Sequence, residues 1–289
     1  MTHTIGMRFI FVKKTLLSTL LTLFIVCCMS SVFDDNSVAR GESPKVGLIA
    51  SFYTYYGDSG ENRKHNVALA VSKIDGLVLA PEEEFSFNDV VGPRREERGF
   101  KRAYIIQDGQ FVEGVGGGVC QVSTTLYNAV LLADLTVTRV QAHSLPVGYV
   151  APSFDAMVSS GSDFRFVNTL SAPVTIKMSA DGKYVKCDVY GVAGRKISRR
   201  SETIEILECE TIYRDDDTLL FGQEVVEDSG ANGLRSRGYL QYEGGGKVVT
   251  RLIRTDFYAP QPKVVLRGTK PMSPTENVPN MGENTNLSG

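Results

Sequence analysis

Three consecutive glycines, Gly116-Gly117-Gly118, stand directly before the strongest helical pattern in the chain, and this juncture constrains the fold more than any other feature. Glycine has no side chain to pack and reaches backbone conformations closed to other residues, so such a run marks a tight turn or a close backbone approach. Behind it Val122, Leu126, Ala129, Val130 and Ala133 share one apolar stripe of a helix, while Cys120, Ser123, Thr124 and Tyr127 recur at i, i+3, i+4 and i+7 on another. The spacing predicts a helix that carries Cys120 in its first turn, facing away from the apolar stripe.

A second helix is expected from Asn62, where Val67, Ala70, Val71 and Ile74 repeat at helical spacing and Gly76 stands at the C-terminal cap. Residues 46–56 read as a strand, 77–91 as a strand or extended arm, 94–102 as a solvated charged loop, and 104–112 as a hairpin across Asp108-Gly109. Beyond Asp134 the pattern is all β, with strands expected over 136–142, 147–149, 156–159, 164–168, 174–178 and 184–190. A linker is expected over 191–201, a glycine-punctuated β unit over 203–269, and a disordered tail rich in Pro and Asn over 270–289. The fold class is therefore α+β: a few helices packed on antiparallel β structure over 45–192, followed by a small all-β glycine-rich module.

The N-terminus carries an address. Arg8, Lys13 and Lys14 precede an uncharged, mostly apolar run over residues 15–33, and Asp34 and Asp35 follow it at once. Residues 1–40 thus read as an export signal and linker, either a cleaved signal peptide or an uncleaved membrane anchor. The rest of the chain is expected to be extracytoplasmic, anchored to the membrane or secreted to the wall. A net charge of −2 over 289 residues excludes the field that a nucleic-acid partner requires. Outside the exported run the cysteines are Cys120, Cys187 and Cys209; either Cys187 pairs with Cys209 and leaves Cys120 alone, or all three are unpaired.

A thiol in the first turn of a helix sits in the field of unpaired backbone N–H groups, which lowers its pKa. The backbone from Gly118 to Gln121 offers the same donors to a developing oxyanion. A nucleophilic cysteine needs a base, and His143 follows on expected β structure, with Asp155 beyond it to hold the imidazole's tautomer. The order Cys-His-Asp is similar to the transglutaminase-like and papain-like arrangement, which implies acyl transfer. Two other readings stay open. In one the glycines merely turn the chain, Cys120 fills a small space and His143 is structural. In the other the three residues bind zinc, although no Cys-x-x-Cys or His-x-x-x-His spacing supports a metal, and no metal or cofactor is assigned. Asn62, Arg63, Ser123, Thr124, Tyr127 and Tyr149 are candidate substrate contacts.

Several stretches together resemble the VanW family: Asn62-Arg63 with Asn66, Phe85-Ser86-Phe87-Asn88 with Gly92, Gly116 to Gln121, Thr125-Leu126-Tyr127-Asn128, His143-Ser144, Tyr149 and Asp155-Ala156. Pro81-Glu82 departs from the Pro-Gly that the family often shows. The C-terminal unit resembles a G-five domain through Gly222, Gly230, Gly233, Gly244-Gly245-Gly246 and Gly268. Together these resemblances imply a cell-wall protein linked to vancomycin resistance, with N-acetylglucosamine-containing glycan or peptidoglycan as partner. The flat β ribbons between the glycines would present Tyr239 and Tyr242 to sugar rings, and the reading of the unit as a mere spacer stays open beside it. A cysteine site in such a protein implies acyl transfer or amide hydrolysis on peptidoglycan peptides; the alternative is a wall-binding protein without catalysis.

Overall fold

The computed structural model describes residues 45–107, 109–192 and 194–271. The expected export segment and the expected disordered tail lie outside the described residues, apart from Lys270 and Pro271, as does Asp108 of the hairpin turn. In chain order the elements of the first domain are β1 (Val46–Tyr55), α1 (Glu61–Ile74), β2 (Val78–Leu79), β3 (Glu84–Ser86), α2 (Phe87–Val91), β4 (Arg102–Gln107), β5 (Gln110–Val115), α3 (Val119–Leu132), β6 (Thr136–Arg139), β7 (Arg165–Val167), β8 (Val174–Ala180) and β9 (Tyr184–Val192). The C-terminal module holds β10 (Ser198–Leu207), β11 (Thr211–Leu220), β12 (Glu224–Asp228), β13 (Gly233–Gly244), β14 (Lys247–Tyr258) and β15 (Lys263–Lys270).

The glycine run and the two stripes behind it organise the first domain. Gly118 has φ +104°, and a Cβ there would lie 2.9 Å from Val67 and 3.0 Å from Arg63 of α1, so only glycine lets the two helices approach this closely. Val122, Leu126, Ala129 and Val130 of α3 are fully buried, each large apolar side chain contributing about 1.5–3 kcal/mol. On α1, Val67, Ala70 and Ile74 are fully buried at the predicted spacing, and Gly76, with φ +85°, follows the helix end. Both helices pack on the antiparallel sheet of order β1-β9-β8-β2. A second sheet, β3-β7-β6, stacks Phe85 on Phe166 at 4.9 Å between ring centroids.

One expectation fails informatively. The second stripe of α3 does not offer Ser123, Thr124 and Tyr127 to a substrate: all three are buried, and the segment 154–158 runs across Ser123, Thr124 and the neighbouring Asn128. Ser123 Oγ donates to Ala156 O at 2.6 Å, Ala156 N donates to Thr124 Oγ1 at 3.0 Å, and Asn128 Nδ2 donates to Phe154 O at 2.8 Å. Polar side chains of a helix thus satisfy an extended segment that belongs to no sheet. Residues 156–159, expected as a strand, are irregular for this reason, and 147–149, also expected as a strand, form a turn. Residues 77–91 similarly divide into two short strands and the helix α2, whose N-cap Ser86 accepts from Asp89 N.

The interdomain linker is shorter than the composition suggests, since β9 runs to Val192 and β10 begins at Ser198. The module is all β: β10-β13-β14 is antiparallel, while β15 pairs parallel with β11 and antiparallel with β12. Not every glycine there serves a left-handed turn. Gly222 and Gly230 have positive φ, whereas Gly233 is required because a Cβ would sit 2.5 Å from Tyr258 O.

Candidate active site

Cys120 lies in the first turn of α3 and His143 in the irregular chain after β6, not on a strand as expected. Asp155 opens the segment that α3 tethers. The structure brings these three side chains together. His143 Nδ1 lies 2.7 Å from Asp155 Oδ2, which also accepts from the His143 backbone N–H at 2.7 Å. With Nδ1 so engaged, Nε2 is the ring nitrogen left for the sulfur, and His143 and Cys120 line the same groove, close enough for each to shift the other's titration. The sulfur also lies 3.5 Å from Val158 N and 3.4 Å from Val158 O, so the thiolate accepts the N–H and the neutral thiol donates to the carbonyl.

The electrostatics favour an ion pair. Burial opposes charge on Cys120, but His143, the Val158 N–H and the Arg94 guanidinium outweigh it, and the thiol pKa falls below its ordinary value. Burial likewise works against the imidazolium, yet Asp155 and Cys120 push His143 up to about 9. Desolvation of Asp155 is outweighed by His143 and Arg254, which keep its carboxyl below the usual range. The charged forms of thiol, imidazole and carboxyl therefore each favour the others.

Cys120 and His143 line a groove of about 940 Å³, and Asp155 lies buried behind the histidine. One wall is apolar and comes from the β4–β5 hairpin, where Tyr104 and Phe111 are 65% and 61% exposed. Arg63, Arg94 and Arg95 also line it, and among the described residues no Asp or Glu does. Arg94 was expected in a solvated loop. Instead it is packed against the site, with Nη1 donating to Asn88 Oδ1 at 2.7 Å, and burial lowers its pKa. Its signal in the sequence is indirect: it follows Gly92-Pro93, and a Cβ on Gly116 would lie 2.8 Å from its own Cβ.

The other expected residues divide sharply. Arg63 and Tyr149 line the groove, Arg63 donating to Gln121 Oε1 at 2.9 Å. Ser123, Thr124 and Tyr127 are buried away from it and hold structure, and Asn62 donates to Arg102 O at 2.9 Å at the start of β4. Gln121 N–H is engaged by Gly118 O at 3.0 Å, so it is no oxyanion donor; among the described residues Cys120 N–H has no backbone acceptor and Gly118 supplies only the turn. Cys187 and Cys209 are not paired: Cys187 is sealed in the sheet core, where burial raises its pKa, and Cys209 lies in the module. Among the described residues no group of three or more His, Cys, Asp or Glu has a metal-holding arrangement. Tyr239 and Tyr242 are half-buried, with Arg200 and Arg195 stacked on one face of each at 4.5 and 4.4 Å, which leaves less ring for a sugar.

Asp155 holds a feature that the sequence reading missed. Its Oδ1 accepts from Tyr258 Oη at 2.7 Å and from Arg254 Nη2 at 3.1 Å, both on β14 of the C-terminal module. The available signal was the alternation Arg254, Asp256, Tyr258, which places three polar residues on one face of a strand.

Two family models match the chain, one described as VanW like protein over residues 62–190 and one as G5 domain over residues 198–270. The chain is similar to the protein YoaR of Bacillus subtilis, at 45% identity over 52% of this chain and 48% of that protein. It is also similar to the vancomycin B-type resistance protein VanW of Enterococcus faecalis, at 26% identity over 45% of this chain and 50% of that one. The chain thus spans about half the length of the curated relatives it matches. The solved G5 domain of an IgA1 protease aligns with 27% of this chain and 94% of its own length, at 23% identity and a TM-score of 0.20.

Proposed function

For a chain that carries a VanW-like domain followed by a G5 domain, we propose an exported cell-envelope enzyme that uses Cys120 for acyl transfer or amide hydrolysis on peptidoglycan peptides. The observation that carries this reading is the His143–Asp155 pair at 2.7 Å, with His143 and Cys120 both on the wall of one open groove. Such a constellation is recognised by geometry and roles rather than by fold. The groove's three arginines suit an anionic peptide, and its apolar hairpin suits the aliphatic parts of one. Similarity to a vancomycin-resistance protein supports a place in wall-peptide processing.

In the reaction the Cys120 thiolate attacks the peptide carbonyl carbon and the carbonyl π electrons move to oxygen, where Cys120 N–H stabilises the oxyanion. Collapse breaks the C–N bond, and imidazolium Nε2 of His143 gives its proton to the departing amine, leaving a thioester on Sγ. A water or a second amine then attacks the thioester while neutral His143 accepts its proton. The thiolate leaves, restoring the ion pair. Water gives hydrolysis; an amine gives transfer. The G5 domain supports retention at wall glycan, although with Tyr239 and Tyr242 each covered on one face, glycan contact falls more to exposed aromatics such as Phe221.

The test is incubation of the full chain with soluble peptidoglycan fragments, read by intact mass. The proposal expects an acyl adduct on Cys120 that accumulates in the wild type and disappears in Cys120→Ala and His143→Ala. Fragment binding with no adduct and no product, equal in all three proteins, favours wall binding without catalysis.

A further inference from the structure

The G5 domain grips the catalytic segment at many points. Ser201 Oγ donates to Pro152 O at 2.7 Å, and Ser236 Oγ shares a 2.7 Å hydrogen bond with Ser153 Oγ. Ser153 N donates to Tyr258 Oη at 2.7 Å, and Arg254 Nη1 donates to Asp155 O at 2.8 Å. Ser153 itself is fully buried with φ +65°, a conformation that a non-glycine residue holds only when its surroundings fix it. Gly238 of β13 makes the approach possible, since a Cβ there would stand 2.9 Å from Ser153 O. Beside the histidine, Ala259 N donates to Ser144 O at 2.8 Å. The two domains therefore share one continuous polar network, and it ends on the triad carboxylate.

We infer that the G5 domain is a working part of the active site: Arg254 and Tyr258 are positioning residues that hold the Asp155 carboxylate against His143, so that thiol reactivity depends on this domain being docked. The inference rests on the proposed Cys120-His143 chemistry and adds to it. Asp155 is 1% exposed, and each of its oxygens has two donors, Oδ2 from His143 and Oδ1 from β14. Without the second pair, half of a buried carboxylate is unsatisfied, and it finds new partners by rotating away from the imidazole or by taking up a proton. Either change withdraws the anion that orients the ring. Arg254 is in turn fixed by Asp256, its Nε donating to Oδ2 at 2.6 Å, and by the Tyr127 ring 5.8 Å away. A domain of the wall-binding kind thereby becomes a condition for catalysis and not only an anchor.

The charged and titratable groups facing this network are few. Cys120 faces His143, Arg94 and Tyr149; Asp155 faces His143, Arg254, Tyr258, Tyr127 and, beyond Arg254, Asp256. The test is the pH profile of Cys120 alkylation by iodoacetamide in the full chain, read on the Cys120 peptide, for wild type, His143→Ala, Arg254→Gln, Arg254→Lys and Tyr258→Phe. Arg254→Gln and Tyr258→Phe should move the acid limb upward by about one pH unit, a tenfold loss of rate along that limb, while leaving the alkaline plateau unchanged. Arg254→Lys should recover part of the shift. Tyr258→Phe preserves the buried ring, so it reads the hydroxyl alone. A purely structural contact would lower the melting temperature and leave the limb in place. Limbs that coincide with wild type in both variants, while His143→Ala displaces its own, overturn this inference alone. A wild-type limb already at the ordinary thiol position and unmoved by His143→Ala overturns the proposed Cys-His chemistry, and this inference with it.

Discussion

The first domain and the G5 domain solve the problem of a stable interior in opposite ways. The first domain wraps a buried helix, α3, with two sheets and α1, and most of the buried apolar residues belong to it. The G5 domain is two thin three-stranded sheets in which Ile206, Phe221, Val248 and Phe257 stay at least half exposed. Its buried members include Leu240, Tyr258 and Ser236, and Leu240 belongs to the same apolar cluster as α3. The difference teaches that the G5 domain does not close its own core; part of it is completed by the neighbour, and the shared boundary runs through the segment that carries Asp155.

The comparison can be broken most easily through its cysteines. Cys187 is fully buried in the sheet and Cys120 opens on the groove, so alkylation of the native protein at neutral pH should favour Cys120 by about 10³-fold or more, Cys187 reacting only through unfolding. Comparable rates would show that the first domain's core is not sealed. Next in size, Leu126→Ala and Leu240→Ala should each lower the unfolding free energy by about 2–5 kcal/mol in denaturant titrations, within one shared transition. Two separate transitions would mean that the G5 domain is independently stable and the common cluster is without consequence.

A proton resonance of His143 provides the third test. The folded imidazole is raised from 6.5 to about 9, so it should remain protonated through neutral pH and lose its proton only as pH rises through about 9. Asp155→Asn removes the group that raises it and should bring the midpoint down; a midpoint near 6.5 in the unmodified protein breaks the argument. Gly118→Ala should cost about 1–3 kcal/mol, because the new Cβ meets Val67 and Arg63 in a left-handed conformation. Val248→Ala, at an exposed position of β14, should change stability by no more than about 0.5 kcal/mol by the same measurement.

Much of this was legible in the chain, for reasons that also mark where legibility stopped. The stripes of α1 and α3 and the alternation of β8 and β9 report burial inside one element, and periodicity registers that directly. Cys120, His143 and Asp155 could be named because their chemistry is distinctive and their order is suggestive. The cover over the second stripe of α3 could not be read, because hydrogen bonds between Ser123, Thr124 and Asn128 and a backbone 26–33 residues away leave no periodic trace. Ser123 and Thr124, expected to contact substrate, are taken up by that backbone, and Tyr127 is buried beside Arg254. Arg254 and Tyr258 lie 99 and 103 residues beyond Asp155, in a domain whose glycines pointed toward the wall. Nothing local to β14 names the carboxylate it serves.

The central claim is that Cys120 exists as a thiolate paired with His143. It is tested most directly by the ultraviolet absorbance of the thiolate, taken as wild type minus Cys120→Ser while pH is lowered from the ordinary thiol value of 9.0. The account predicts that the Cys120 signal persists well below that value and is lost there in His143→Ala. A signal that disappears around 9.0 in both proteins would contradict it.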